Sequence, residues 1–204
     1  MFQRIREYLS RSVRLSEKEI KIFENSLELR LVPKKTILLQ AGEVCNFEAY
    51  INKGCIREYF IDDAGIELTL QFATEDWWVS DITSFEDQIP SDMYIETLED
   101  CELLVLTRQS KENLINEVPQ LERMFRLMIQ RHLSKLQKRL FKTVSSTAMD
   151  QYIEFVTRYL NNFYNCRNFT RRLDNGRKQR RFYGAARTYD CCYRWKTYYL
   201  DRNE

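Results

Sequence analysis

The chain has 204 residues, 44% of them hydrophobic and 30% charged, with a formal net charge of +2. That length supports one large domain or two small ones with true cores, and the apolar content excludes a disordered chain. Arg4, Glu7 and Arg11 interrupt the first sixteen residues, and no run approaches the ~18 apolar residues of a membrane span, so the expectation is a cytoplasmic protein with no membrane partner.

The overall charge conceals an asymmetry. Residues 164–204 hold eleven Lys/Arg against four Asp/Glu, a net of +7, and residues 1–163 carry 21 against 26, a net of −5. The two parts therefore face different electrostatic partners. The six cysteines (Cys45, Cys55, Cys101, Cys166, Cys191 and Cys192) show no CxxC spacing, which in a reducing cytosol predicts structural thiols and no metal or redox site.

In chain order, Ser16 and Glu19 have capping-box spacing and open a short helix with Ile20, Ile22, Phe23 and Leu27 on its apolar side. From Val32 to Thr107 the pattern changes to short strands punctuated by Gly42, Gly54 and Gly65. In "IELTLQF" the residues Ile66, Leu68, Leu70 and Phe72 alternate with polar ones, a period of two that sets one face on a core. "EAYINKGCIREYF" reads as two strands joined at Asn52–Gly54, "DDAG" as a tight turn, and "CELLVLT" as a strand with little solvent on either face. Strands this short and this close suggest a barrel or jelly roll.

Helix returns after Thr107. "RQSKENLINEV" makes a short helix stopped near Pro119, followed by about 25 residues without glycine or proline. Along this long helix Leu121, Phe125, Ile129, Leu133, Leu136 and Leu140 recur at steps of three and four, and Met124, Met128 and Phe141 widen the stripe. A stripe this broad predicts a helix that covers the β domain and also meets its copy in a second subunit, with Leu121, Phe125, Met128, Ile129, Leu133, Leu136 and Leu140 in the seam. His132 lies beside it and reads as a packed or interface histidine. Residues 147–163 form a further amphipathic helix through Ala148, Tyr152, Phe155, Val156, Tyr159 and Phe163, after which no regular period persists.

The order of a capped helix, a glycine-punctuated β-roll, a short helix and a long dimer-type helix resembles the cyclic-AMP receptor or Crp/Fnr family of bacterial transcriptional regulators. The likeness is carried over about residues 15–160 by "LLQAGEVCNFEAYINKGCIREYF", "DDAGIELTLQF", "DWWVSD", "IETLEDCELLVL" and "LSKLQKRL". It looks like the branch in which "DWW" stands where cyclic-nucleotide binders have a glycine-rich turn. The resemblance implies a β-roll effector domain over 1–118, a dimerisation helix over 119–144, and a C-terminal winged helix-turn-helix in the place of 147–204. The corresponding fold class is α+β, a β-roll or jelly roll flanked by helices, then the long helix and a small helical C-terminal region.

In the family's nucleotide binders a Gly-Glu pair caps the ribose and phosphate, and an arginine before the next strand neutralises the phosphate. The resemblance sets Ser80–Asp81 at the Gly-Glu pair and Ser91 at the arginine, with Asp92 beside it. A buried phosphate without a cation is poorly compensated, and Asp81 and Asp92 would repel it. Ser80 also restricts the close backbone approach a glycine permits. Trp77 and Trp78 either offer an aromatic wall to a planar or apolar effector or simply pack, one in the roll and one against the long helix. The candidate effector residues are thus Trp77, Trp78, Ser80, Asp81, Ser91 and Asp92, with no cofactor expected and cyclic AMP disfavoured.

Enzymatic readings fail on inventory. A metal-dependent jelly-roll enzyme needs several histidines where the chain has one, and an iron–sulfur or haem sensor needs clustered ligands that Cys45, Cys55 and Cys101 do not supply. In the C-terminal part no helix-turn-helix pattern is found, and the sequence is atypical from about residue 164. Three readings stand open there: a basic DNA-binding tail with Arg171, Arg172, Arg177, Lys178, Arg180 and Arg181 on phosphates and Tyr183 or Trp195 stacking on bases; a solvated tail without a specific partner; or a changed reading frame that replaced a normal DNA-binding domain. The expected function is accordingly a homodimeric transcriptional regulator with DNA as a partner and an effector other than cyclic AMP, or else an effector domain without competent DNA binding.

Overall fold

The computed structural model describes residues 2–145. The helices there are α1 (Gln3–Ser10), α2 (Glu17–Asn25), α3 (Ile82–Asp87), α4 (Arg108–Glu117) and α5 (Gln120–Ser145). The strands are β1 (Glu28–Val32), β2 (Ile37–Leu39), β3 (Phe47–Lys53), β4 (Ile56–Ile61), β5 (Glu67–Ala73), β6 (Trp78–Val79), β7 (Tyr94–Thr97) and β8 (Cys101–Thr107). Residues 2–58 and 72–134 form one compact unit, and residues 59–71 and 135–145 belong to a second. The helix expected over 147–163 and the basic segment with Arg171, Arg172, Arg177, Lys178, Arg180 and Arg181 lie outside the described residues.

Two four-stranded sheets carry the β-roll, in the orders β1-β8-β3-β6 and β2-β7-β4-β5. The β1–β8, β3–β8, β3–β6 and β2–β7 pairings run antiparallel. The strand alternation of the first sheet sorts its side chains into two cores. Ala49, Ile51, Val79, Leu103 and Val105 join Leu39, Ile56, Phe85 and Ile95 in one cluster. Tyr50, Trp78, Leu104 and Leu106 join Ile5, Leu9, Phe23, Leu114, Leu121 and Phe125 of the helices in another. Since successive side chains of a strand point to opposite faces, β3 and β8 are covered on both sides, and the near-continuous apolar run of β8 follows.

The local signals hold where side chains dictate them. The Ser16 hydroxyl accepts from the Glu19 N–H while the Glu19 carboxylate accepts from the Ser16 N–H, closing the capping box of α2. Asp62 organises the "DDAG" turn by accepting from the Ala64 and Ile66 N–H groups at 3.0 and 2.9 Å. Thr107 caps α4, which ends at Val118 before Pro119 as expected. Two short helices were not foreseen. In α1 only Ile5 and Leu9 are buried, one turn apart, too few positions for a period to stand out. In α3 the six residues fall inside a stretch that reads as strand-like.

The long-helix stripe divides into two parts. Leu121, Met124 and Phe125 are buried in the protomer's own helix-side core, with Met128 packed at its edge. Ile129, Leu133, Leu136, Leu140 and Phe141 stay exposed, Leu140 at 65%. This corrects the expectation of a single seam from Leu121 to Leu140: spacing alone cannot distinguish a face turned to the home core from one turned outward.

Gly54 closes the β3–β4 connection at φ +112°, and a Cβ there would come within 2.5 Å of Cys101 Sγ and 3.0 Å of its Cα. Gly65 has φ +77° with open space around it. Gly54→Ala is expected to lower stability by about 2–4 kcal/mol in chemical denaturation, combining left-handed backbone strain with overpacking. Gly65→Ala should lose only the backbone share, about 1–2 kcal/mol.

Candidate functional site

The "DWWVSD" segment leads from β5 through β6 into α3. Asp76 takes a left-handed backbone, φ 67°, which aspartate tolerates better than most residues. The turn is held to β3 from both sides, by Asp76 N–H to the Ile51 carbonyl at 3.1 Å and Ile51 N–H to the Trp77 carbonyl at 2.9 Å. The Asp76 carboxylate accepts from the Tyr50 hydroxyl at 2.9 Å and forms an ion pair with Arg11, at the end of α1. Burial, with the Asp76 carboxylate next, pushes the Tyr50 hydroxyl well above its usual range, so it remains a donor.

Trp78, only 8% exposed, lies directly across from Tyr50 in the β3–β6 pair. Its ring meets Tyr50 edge-on at 5.6 Å and Phe125 of α5 at 6.3 Å, and Tyr50 in turn meets Tyr8 of α1 at 5.6 Å. These four rings form a column of edge-to-face contacts, the arrangement aromatic quadrupoles favour. Trp77 points the other way and packs against the inter-sheet core. Trp78 is thus buried in the helix-side core, and Trp77 is half-buried against the other cluster.

The four polar candidates sit around α3. The Ser80 hydroxyl donates to the Phe47 carbonyl at 2.9 Å. Asp81 is the N-cap of α3: one carboxylate oxygen accepts from the Ser84 N–H at 3.2 Å and the other from the Ser91 hydroxyl at 2.7 Å. Ser91 is 2% exposed and fully engaged, its N–H bonding the Glu43 carbonyl at 2.8 Å, its carbonyl taking the Gly42 N–H at 2.7 Å, and its hydroxyl accepting from Met93 N–H at 3.0 Å. Buried Ser84 ties the same loop inward, its hydroxyl accepting from Cys45 N–H and donating to the Ile89 carbonyl at 2.6 Å. Asp92 is exposed.

The chemistry of this arrangement is self-contained. The residue standing where the resemblance calls for an arginine is a buried neutral hydroxyl, and it already serves a carboxylate. Arg57, a cation on the second sheet, is bound at 2.6 Å by Glu96 with both side chains largely buried. Among the described residues no group of three His, Cys, Asp or Glu could hold a metal ion. Cys45, Cys55 and Cys101 are buried, and burial pushes the Cys101 thiol up to about 12, far from the thiolate that ligation or redox chemistry requires. His132 is half-buried on α5. No helix among the described residues is long and apolar enough to cross a membrane.

One polar cluster had no signature in the sequence. Lys111 of α4, 8% exposed, reaches Glu48 of β3 at 3.1 Å and Glu86 of α3 at 2.8 Å. Nothing in the spacing of "RQSKENLINEV" marks that lysine as interior, because only its partners on β3 and α3 make the burial tolerable.

Residues 29–118 match the family model of the cyclic nucleotide-binding domain. No curated protein sequence matches the chain. Among solved structures, the fold is similar to the Thermus thermophilus catabolite activator protein, with 21% identity and a TM-score of 0.54 over 63% of this chain and 61% of that one. It is similar also to the c-di-GMP-responsive global regulator CLP of Xanthomonas campestris, with 16% identity and a TM-score of 0.57 over 72% of each chain. A chain of Eubacterium rectale assigned to the Crp/Fnr family of regulators matches with 14% identity and a TM-score of 0.56 over 71% of this chain and 69% of that one. Over residues 29–118 the chain thus resembles cyclic nucleotide-binding domains, and the solved structures with a similar fold include a regulator assigned to the Crp/Fnr family.

Asp81→Ala removes the α3 cap and leaves the buried Ser91 hydroxyl without its acceptor. It is expected to cost about 2 kcal/mol in urea denaturation. Exposed Asp92→Ala should stay within about 0.5 kcal/mol of the parent.

Proposed function

We propose that the protein is a homodimeric transcriptional regulator of the Crp/Fnr type, whose β-roll does not bind cyclic AMP and whose basic C-terminal region contacts DNA. The observation that supports the exclusion of cyclic AMP is the Asp81–Ser91 hydrogen bond at 2.7 Å, which engages with an internal partner the residue that the resemblance sets at the family's arginine. The β-roll match over 29–118 and the regulator neighbours support the class, and the exposed leucines of α5 support the dimer. Ile129, Leu133, Leu136 and Leu140 alternate at steps of four, three and four, the a/d spacing of a two-stranded coiled coil. Gln130 and Gln137 flank the seam without charge, so two parallel copies meet no like-charge clash at those positions.

Isothermal calorimetry with cyclic AMP and cyclic GMP is expected to give no saturable heat up to millimolar ligand; tight binding of either would overturn the phosphate exclusion. In sedimentation equilibrium the parent chain should run as a dimer, and Leu133→Glu with Leu136→Glu should shift it to monomer. Binding to a promoter fragment should be measurable at about 50 mM salt and fall steeply as salt rises. Absence of binding at low salt would leave the second reading, an effector domain without competent DNA binding, which the atypical sequence after residue 164 favours.

A further inference from the structure

One buried carboxylate of the β-roll shares its cation with a second acid. Glu48 is 3% exposed on β3, and its one ion-pair partner among the described residues is Lys111, which also reaches the exposed Glu86 of α3. The Lys111 ammonium also stands 5.1 Å above the rings of Phe85 on α3 and Phe125 on α5. Four elements thus converge on one lysine: β3, α3, α5 and its own helix α4. Glu48 Oε1 is bonded to Lys111, and Oε2 has no hydrogen-bond partner among the described residues. Ionised, Glu48 holds a buried carboxylate oxygen without a partner and shares its ammonium with Glu86, whose side chain is 51% exposed, and that burial is costly unless Glu48 takes a proton.

We propose that Glu48, Lys111 and Glu86 form a proton-operated clasp that sets how firmly α3 is held to α4. With Glu48 ionised, two carboxylates divide the hydrogen-bonding capacity of Lys111 and repel each other. When Glu48 takes a proton, the charges of Lys111 and Glu86 cancel and the tie between α3 and α4 tightens. The charged groups that face Glu48 are these two, Lys111 from α4 and Glu86 from α3. Burial is the largest influence and favours the protonated form, Lys111 opposes it, and Glu86 favours it, with the net shift upward. The folded chain therefore binds a proton that the unfolded chain has already released. Stability from this group is fully present below the ordinary glutamate value and is lost as pH rises from there through the raised folded value. The consequence for the β-roll is an input to α3, the helix that Asp81 caps, that needs no bound ligand and stands whether or not the chain binds DNA.

The test uses the full chain, with glutamate carboxyl carbons labelled for NMR and hydrogen exchange of residues 82–87 followed from pH 5 to 8 after correction for intrinsic rates. One carboxyl should titrate above the ordinary value of about 4.3 and vanish in Glu48→Gln. Protection of α3 should rise severalfold as pH falls through that same midpoint, and in Glu48→Gln it should stay high and flat. Glu86→Gln, a change at the solvent-exposed end of the cluster, should abolish the pH response of α3 while Glu48 still titrates, now at a lower midpoint. The clasp is overturned if no glutamate titrates above the ordinary range, or if α3 protection follows pH in Glu86→Gln as it does in the parent.

Discussion

The structure depends on a sheet that is buried on both faces. Strands β3 and β8 present Ala49, Ile51, Leu103 and Val105 to the second sheet and Tyr50, Leu104 and Leu106 to the helices. Neither strand has a face on which a polar residue can be spent freely. Where polar groups do enter, as at Glu48 and Tyr50, they arrive with partners supplied by distant segments, Lys111 from α4 and Asp76 from the β5–β6 turn. The helices are thereby fixed to the roll by a few specific anchors as well as by apolar area. The Tyr8–Tyr50–Trp78–Phe125 column runs from the N-terminal helix to the start of the long helix through the sheet itself.

Around α3 the same economy takes another form. The resemblance sets this segment where the family's nucleotide binders present hydrogen-bond donors to the ribose and phosphate. In this chain those donors are used at home: the Ser84 N–H and Ser91 hydroxyl both serve Asp81, while the backbone of Ser91 is fastened to Gly42 and Glu43. The loop gains its definition from its own side chains.

Much of the fold was legible because its signals are local. The capping box at Ser16, the Asp62 turn, the positive-φ glycines and the alternation of the strands each rest on residues within a few positions of one another. The likeness to Crp/Fnr regulators added the roll's overall order. What escaped was long-range. No pattern in "EAYINK" distinguishes Glu48, a glutamate enclosed beside Lys111 63 positions away, from one facing water. The division of the α5 stripe after Met128 depended on where α1 and α2 pack, which the 3.6 period does not encode. At the site, substitution of Ser91 for an arginine was readable as a missing charge. That its hydroxyl would be turned to Asp81, closing the position, required the geometry.

The Asp81–Ser91 pair also bears on how this β-roll relates to nucleotide-binding ones by mutation. A change of Ser91 to arginine would restore the cation, yet the new guanidinium would find Asp81 already in place and pair with it. The single substitution would exchange one internal tie for another. The loop between α3 and β7 would stay fastened to its own carboxylate whichever of the two donors stood at position 91.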